Sequence, residues 1–152
     1  MSNFDPEAFM GTETTDDMDT QVIPIPEDEY TAVVEKVEAR LTKVDNVEKP
    51  VLEVTWLIDD TDGSVQKATG RDKNTVRQSI WLDVNESGAL ATGPGKNIGL
   101  GRLREVFGQN KAGKAWNPNM LTGNPARILV NQRVDKNDPE VIYNGVKRVA
   151  AL

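Results

Sequence analysis

The chain has 152 residues, a formal charge of −6 and a hydrophobic fraction of 38%, enough for one domain with one core. It contains neither cysteine nor histidine, which excludes disulfides, thiolate catalysis and Cys or His metal sites, and removes the commonest near-neutral general base. No apolar run approaches the roughly 20 residues that span a bilayer, and the opening stretch lacks the basic and apolar regions of a leader, so a soluble, cytoplasmic protein is expected.

The charge is unevenly spread. Residues 1–30 hold nine acids and no base, whereas the other 122 residues hold fifteen acids against eighteen bases. Self-repulsion and few apolar groups predict a flexible, disordered acidic arm over 1–25, ahead of a domain over 26–152. Phe4, Phe9 and Met10 are the exception, read either as a short docking motif for a partner or as incidental aromatics in a tail. Val22 to Pro26 then approaches the domain in extended form, because each proline restrains its predecessor from helix.

Tyr30 to Leu41 reads as a first strand. Leu52, Val54, Trp56 and Ile58 alternate with Val51, Glu53, Thr55 and Leu57, the period of a sheet with one apolar face, so Trp56 belongs to the core. Asp59 to Gly63 is turn material, and the polar segment 64–75 suits a long hairpin arm or a loop. From Val76 to Val84 the alternation returns, with Val76, Ile80, Leu82 and Val84 on one face and Arg77, Ser79, Trp81 and Asp83 on the other. An indole beside a guanidinium on a polar face suits nucleic acid; a second small core, or packing under a loop, would explain Trp81 equally well.

Residues 85–97 form a Gly-rich loop, and a helix follows from about Lys96 to Phe107, with Leu100, Leu103, Val106 and Phe107 near one stripe and Gly108 at its end. Lys111 to Pro118 is again a loop. The turn at Leu121 to Ala126 leads to a strand over 126–134, and a last strand over 140–149 is interrupted at Asn144-Gly145. Five short strands with one inserted short helix predict a mainly β, oligonucleotide-binding (OB-like) barrel.

Catalytic motifs fail on inspection. A phosphate loop ending at Lys96 would need glycine where Leu90 stands and a hydroxyl where Asn97 stands, leaving either a charged edge loop or a phosphate-contacting one. A calcium loop aligned on Gly63 would put Ile58 and Thr69 at ligand positions. Convergence of Glu53, Asp59 and Asp83 on a metal is the residual possibility. No enzyme and no cofactor is expected. Single-strand binding instead needs cations for phosphates and rings for stacking, and Arg71, Lys73, Arg77, Trp81, Arg102, Arg104, Lys111, Lys114, Trp116, Arg127 and Arg133 supply both.

In order and spacing, Glu29-Tyr30, Leu52 to Trp56 followed by Asp62-Gly63, Leu100 to Gly108, Leu121 to Gly123 and Tyr143 to Lys147 resemble a phage-encoded family of small proteins. That family is related to single-stranded-DNA-binding proteins and accompanies recombination or replication genes. The resemblance covers about residues 28–149 and implies an OB-like barrel, single-stranded DNA as partner and the host cytoplasm as compartment. Familiar bacterial single-strand binders carry an acidic partner-recruiting tail at the C terminus, whereas this chain is acidic at its start, so replication or recombination proteins would meet the arm. A protein-binding or structural phage component on the same barrel is the competing expectation. Oligomeric state stays open, since an exposed sheet edge can pair between copies.

Overall fold

The strongest alternation in the sequence, Leu52 to Ile58, lies on an interior strand of a five-stranded antiparallel sheet. The computed structural model describes residues 3–152. In chain order these form α1 (Pro6–Met10), β1 (Asp28–Val44), β2 (Val47–Ile58), α2 (Ser64–Thr69), β3 (Thr75–Trp81), α3 (Ile98–Val106), a 3-10 turn (Pro118–Leu121), β4 (Pro125–Val134) and β5 (Ile142–Ala150). The strands lie in the order β3-β2-β1-β4-β5 in one sheet. No ladder closes that sheet between β3 and β5 among the described residues.

β1 is longer than its sequence pattern indicates because it serves two partners. Its first residues, Asp28 to Val33, pair with β4, and Ala32 to Val44 pair with β2. Between Val34 and Lys36 the register shifts, leaving Glu35 as an extra residue, the geometry of a bulge that bends a strand and increases its twist. The hairpin closes on Asp45 and Asn46, whose φ angles are 52° and 66°. A two-residue connection with both φ positive matches the twist of the flanking strands, and Asp and Asn tolerate that region better than most residues.

The segment read as a hairpin arm or loop over 64–75 instead contains α2. Its start is fixed by the preceding acids: Asp60 accepts from the N–H groups of Val65 and Gln66 (2.9 and 2.8 Å), and Asp62 accepts from that of Ser64. These bonds satisfy donors that a helix leaves orphaned at its N-terminus. They also hold the Asp62 carboxyl below its ordinary pKa, the Ser64 backbone N–H being the largest cause. Gly70 ends the helix at φ 76°. The sheet's inner face buries Val34, Leu52, Val54, Trp56, Val76 and Ile128, and α3 adds Leu100 and Leu103. Trp56 is core as expected; its indole N–H donates to Gln78 Oε1 at 2.9 Å.

Asn144-Gly145 does not interrupt the last strand. Both pair within the β4–β5 ladder, whose register shift falls between Leu129 and Val130. A Cβ at 145 would stand 2.8 Å from Asn131 Oδ1, so any larger residue there would have to displace the Asn131 side chain.

The expected structureless arm carries α1, capped by Asp5, and all its described residues up to Ile23 are exposed. Ile25, placed at the end of the arm by sequence, is core at 1% exposure. Its N–H donates to Asn144 Oδ1 at 2.8 Å, and its carbonyl accepts from Asn144 Nδ2 and Gln132 Nε2. Arg71 adds a bond to the Ile23 carbonyl. Asn144→Ala would leave the Ile25 N–H without its partner, so a stability loss of about 1–3 kcal/mol is expected in urea unfolding. A loss within a few tenths of a kcal/mol would mean that side-chain burial alone docks the segment.

Candidate nucleic-acid interface

The register assigns each outward-facing side chain of β1, β2 and β3 to a row. Arg40 and Trp81 flank Val51 across the three strands, and Lys36, Thr55 and Arg77 form a parallel row four residues away along each strand. Between them lie Glu38, Glu53 and Ser79. Trp81 is 53% exposed and shares the outer face of β3 with Arg77, four residues away, as the alternation indicates. Val51, between Arg40 and Trp81, is buried despite facing outward.

The cations of this face are partly neutralised. Glu53 Oε2 accepts from Arg40 at 2.9 Å, and Glu53 Oε1 lies 3.5 Å from Arg77 Nε. Glu53 thereby holds the two guanidinium groups on the outer face while reducing the net field they present. Lys73, also proposed from sequence, is ion-paired with Glu35 at the β1 bulge. Arg71 is turned to the Ile23 carbonyl and acts on the docked segment.

The open edges of β3 and β5 face a cleft of about 470 Å³ whose lining includes Arg71, Arg77, Ile142 and Tyr143. Tyr143 is 51% exposed and stands directly across the ladder from Arg133. The cleft brings Arg77 on β3 and Tyr143 on β5 into a common lining, with Arg133 paired to Tyr143 on β4. The Tyr143 hydroxyl is bonded to the Asp135 carboxylate, which raises the tyrosine pKa; Asp135 is held low, first by the Asn137 N–H and then by Tyr143. Arg127 lies on the same strand face as Arg133 but is 3.6 Å from Glu29, whereas Arg133 has no ion pair among the described residues.

No protein-family profile, curated protein or solved structure matches the chain. Its chemistry therefore rests on these side chains alone.

A second group gathers around α3. Arg104 stacks over the Trp116 ring at 4.2 Å from its centroid and donates to the Gln109 carbonyl, while the Trp116 indole N–H donates to Gln109 Oε1 at 2.8 Å. Lys111 and Lys114 flank Trp116 in a small neighbouring pocket. Arg102 is exposed on α3. The structure thus divides the expected cation and ring set between two surfaces, the outer sheet face and the α3 region. Phe4 and Phe9 belong to neither description: both are exposed, with ring centroids 5.2 Å apart across α1.

Sequence reading missed Arg40 and Tyr143. Arg40 lies beyond the part of β1 that alternates cleanly, and its place in the row of Val51 and Trp81 depends on the bulge at Glu35. Tyr143 gains its setting from Arg133 and Asp135 and from the cleft it shares with β3, which only the fold brings together. The acids do not converge: Glu53 holds arginines, Asp59 accepts from Thr61, and Asp83 accepts from the Asn97 N–H. Among the described residues no three Asp or Glu side chains come together as a metal site, and no helix is long and apolar enough to cross a membrane.

Proposed function

We propose that this chain binds single-stranded DNA without catalysis, along the outer face of β3 and across the cleft to β5. The observation that carries the reading is Trp81, a half-exposed indole on the same sheet face as Arg77 and Arg40. A ring in that position offers a stacking platform for any base, and the neighbouring guanidinium groups offer phosphate contacts. Strand order β3-β2-β1-β4-β5, with α3 between β3 and β4, supports an open OB-like barrel. In that fold strands 2 and 3 form the usual oligonucleotide surface.

The biological setting proposed is an accessory role in phage replication or recombination, in the host cytoplasm, with the acidic arm and its Phe4 and Phe9 meeting partner proteins. Glu53 favours a second reading: by neutralising Arg40 and Arg77 it suits a protein-binding or structural phage component equally well. Titration of labelled oligo(dT) and matching duplex at two salt concentrations separates them. Tight, salt-sensitive binding that prefers the single strand supports the first reading, and no binding at low salt leaves the second.

Arg133 and Arg127 give a finer test. Each phosphate contact on a single strand contributes about 0.7 to the slope of log affinity against log salt. Arg133→Ala is expected to reduce the slope by about that amount, equally for all base compositions. Arg127→Ala is expected to do less, because Glu29 already occupies its guanidinium. A base-dependent loss at unchanged slope would remove Arg133 from the phosphate path.

A further inference from the structure

Beside α3 lies an open cleft of about 480 Å³, separate in its lining from the β3–β5 cleft. Its polar lining is cationic: Lys96 from the Gly-rich loop, Arg104 from α3 and Lys114 from the loop after it, with Asn97 and Asn110 and no acid. Leu90, Ile98, Leu100 and Trp116 supply the apolar part. Neither lysine has an ion-pair partner among the described residues, unlike Arg40, Lys73 and Arg77 on the sheet face. Arg104 is fixed by its stack on Trp116 and its bond to the Gln109 carbonyl, and its buried Nε has no partner.

The walls of this cleft are fixed as well as charged. Asn97 holds the loop in place: its Nδ2 donates to the carbonyls of Asp83 and Ala91, and its Oδ1 accepts from the Asp83 N–H. Lys96 is thereby set next to a residue whose side chain is tied by two bonds to Asp83, just past β3, and by one to Ala91 within the loop. A flexible surface lysine would need a ligand to order it; here the backbone that carries it is already ordered, which lowers the cost of binding.

We propose that this cleft binds one nucleotide unit, with its phosphate between Lys96 and Lys114 and its base against the apolar side. Three cations without an acid select for an anion, the adjacent apolar wall selects for a flat ring, and the volume suits a single small ligand. The shared chemistry is a phosphate beside a nucleobase, supplied either by a free mononucleotide or by a nucleotide of a bound strand. The inference depends on the single-strand reading for the second source and not for the first.

The test uses the full chain carrying Trp81→Phe, so that Trp116 reports against the fully buried Trp56. Fluorescence titrations with dTMP, thymidine, inorganic phosphate and 5′-phosphorylated oligo(dT) are compared with those of the same chain bearing Lys96→Ala and Lys114→Ala. Both lysines are exposed, and far-UV circular dichroism checks the fold. The expected result is a Trp116 response to dTMP stronger than to thymidine or phosphate, weakened about tenfold or more by the double lysine change. A response to the oligonucleotide but not to dTMP, lost in the lysine variant, assigns the site to the strand. Equal affinities with and without the lysines, for both dTMP and oligonucleotide, would overturn the proposal. Loss of oligonucleotide binding in Trp81→Ala with dTMP binding intact shows that the two surfaces stand or fall separately.

Discussion

Replacing Trp81 with alanine is expected to weaken oligo(dT) binding by about 1–3 kcal/mol, roughly 5- to 150-fold, with the far-UV spectrum retained. The ring ends β3 on the outer face, away from the core formed by Val76 and Ile80, so its loss removes a stacking platform without opening a core cavity. Trp81→Phe keeps a smaller π-face and is expected to fall between the two. The adjacent Val51 supplies the competing outcome, because it is buried on the same outer face and the indole is one of its two row neighbours. If the melting temperature of Trp81→Ala falls steeply while affinity at low temperature is unchanged, the ring is cover for Val51 and the stacking role is lost. Arg77→Ala tests the same surface from its cationic side, with a smaller expected effect because Glu53 already screens that guanidinium.

The sheet was legible where one face alternated and obscure where contacts came from elsewhere in the chain. Leu52 to Ile58 and Val76 to Ile80 announced their inner face through period-2 burial, and Trp81 followed from the same count. α2 was missed because its start depends on Asp60 and Asp62 reaching forward to backbone N–H groups, so the same acids that read as a turn also cap a helix. Ile25 was assigned to the arm because the run Val22 to Pro26 looks like a linker. Its burial comes from Asn144 and Gln132, more than a hundred residues later. The functional set was overdrawn for a related reason. Composition counts cations but not their partners, and Lys73, Arg77 and Arg127 each face an acid that only the fold brings near.

Removing residues 2–20 is expected to tighten binding to single-stranded DNA about tenfold at low salt, and to change little at high salt. The deletion stops short of Ile23 and Ile25, whose carbonyls and N–H are bonded into the domain. It removes six acids (Asp5, Glu7, Glu13, Asp16, Asp17 and Asp19) and no base, taking the formal charge from −6 to 0. The arm joins the domain at the β3–β5 cleft, whose lining includes Gln21, Val22, Ile23 and Pro24 together with Arg71 and Arg77. A polyanion tethered at that point has a high effective concentration at the proposed DNA path and competes with phosphates for the same cations. Salt screens the arm and the strand alike, so the two affinities should converge as ionic strength rises. Equal affinity at low salt would remove competition and leave the acids with a partner-facing or charge-balancing role. Weaker binding after deletion would reverse the sign, making Phe4 or Phe9 a contributor to the DNA surface, and single alanine substitutions at those two positions in the full chain would then locate the contact.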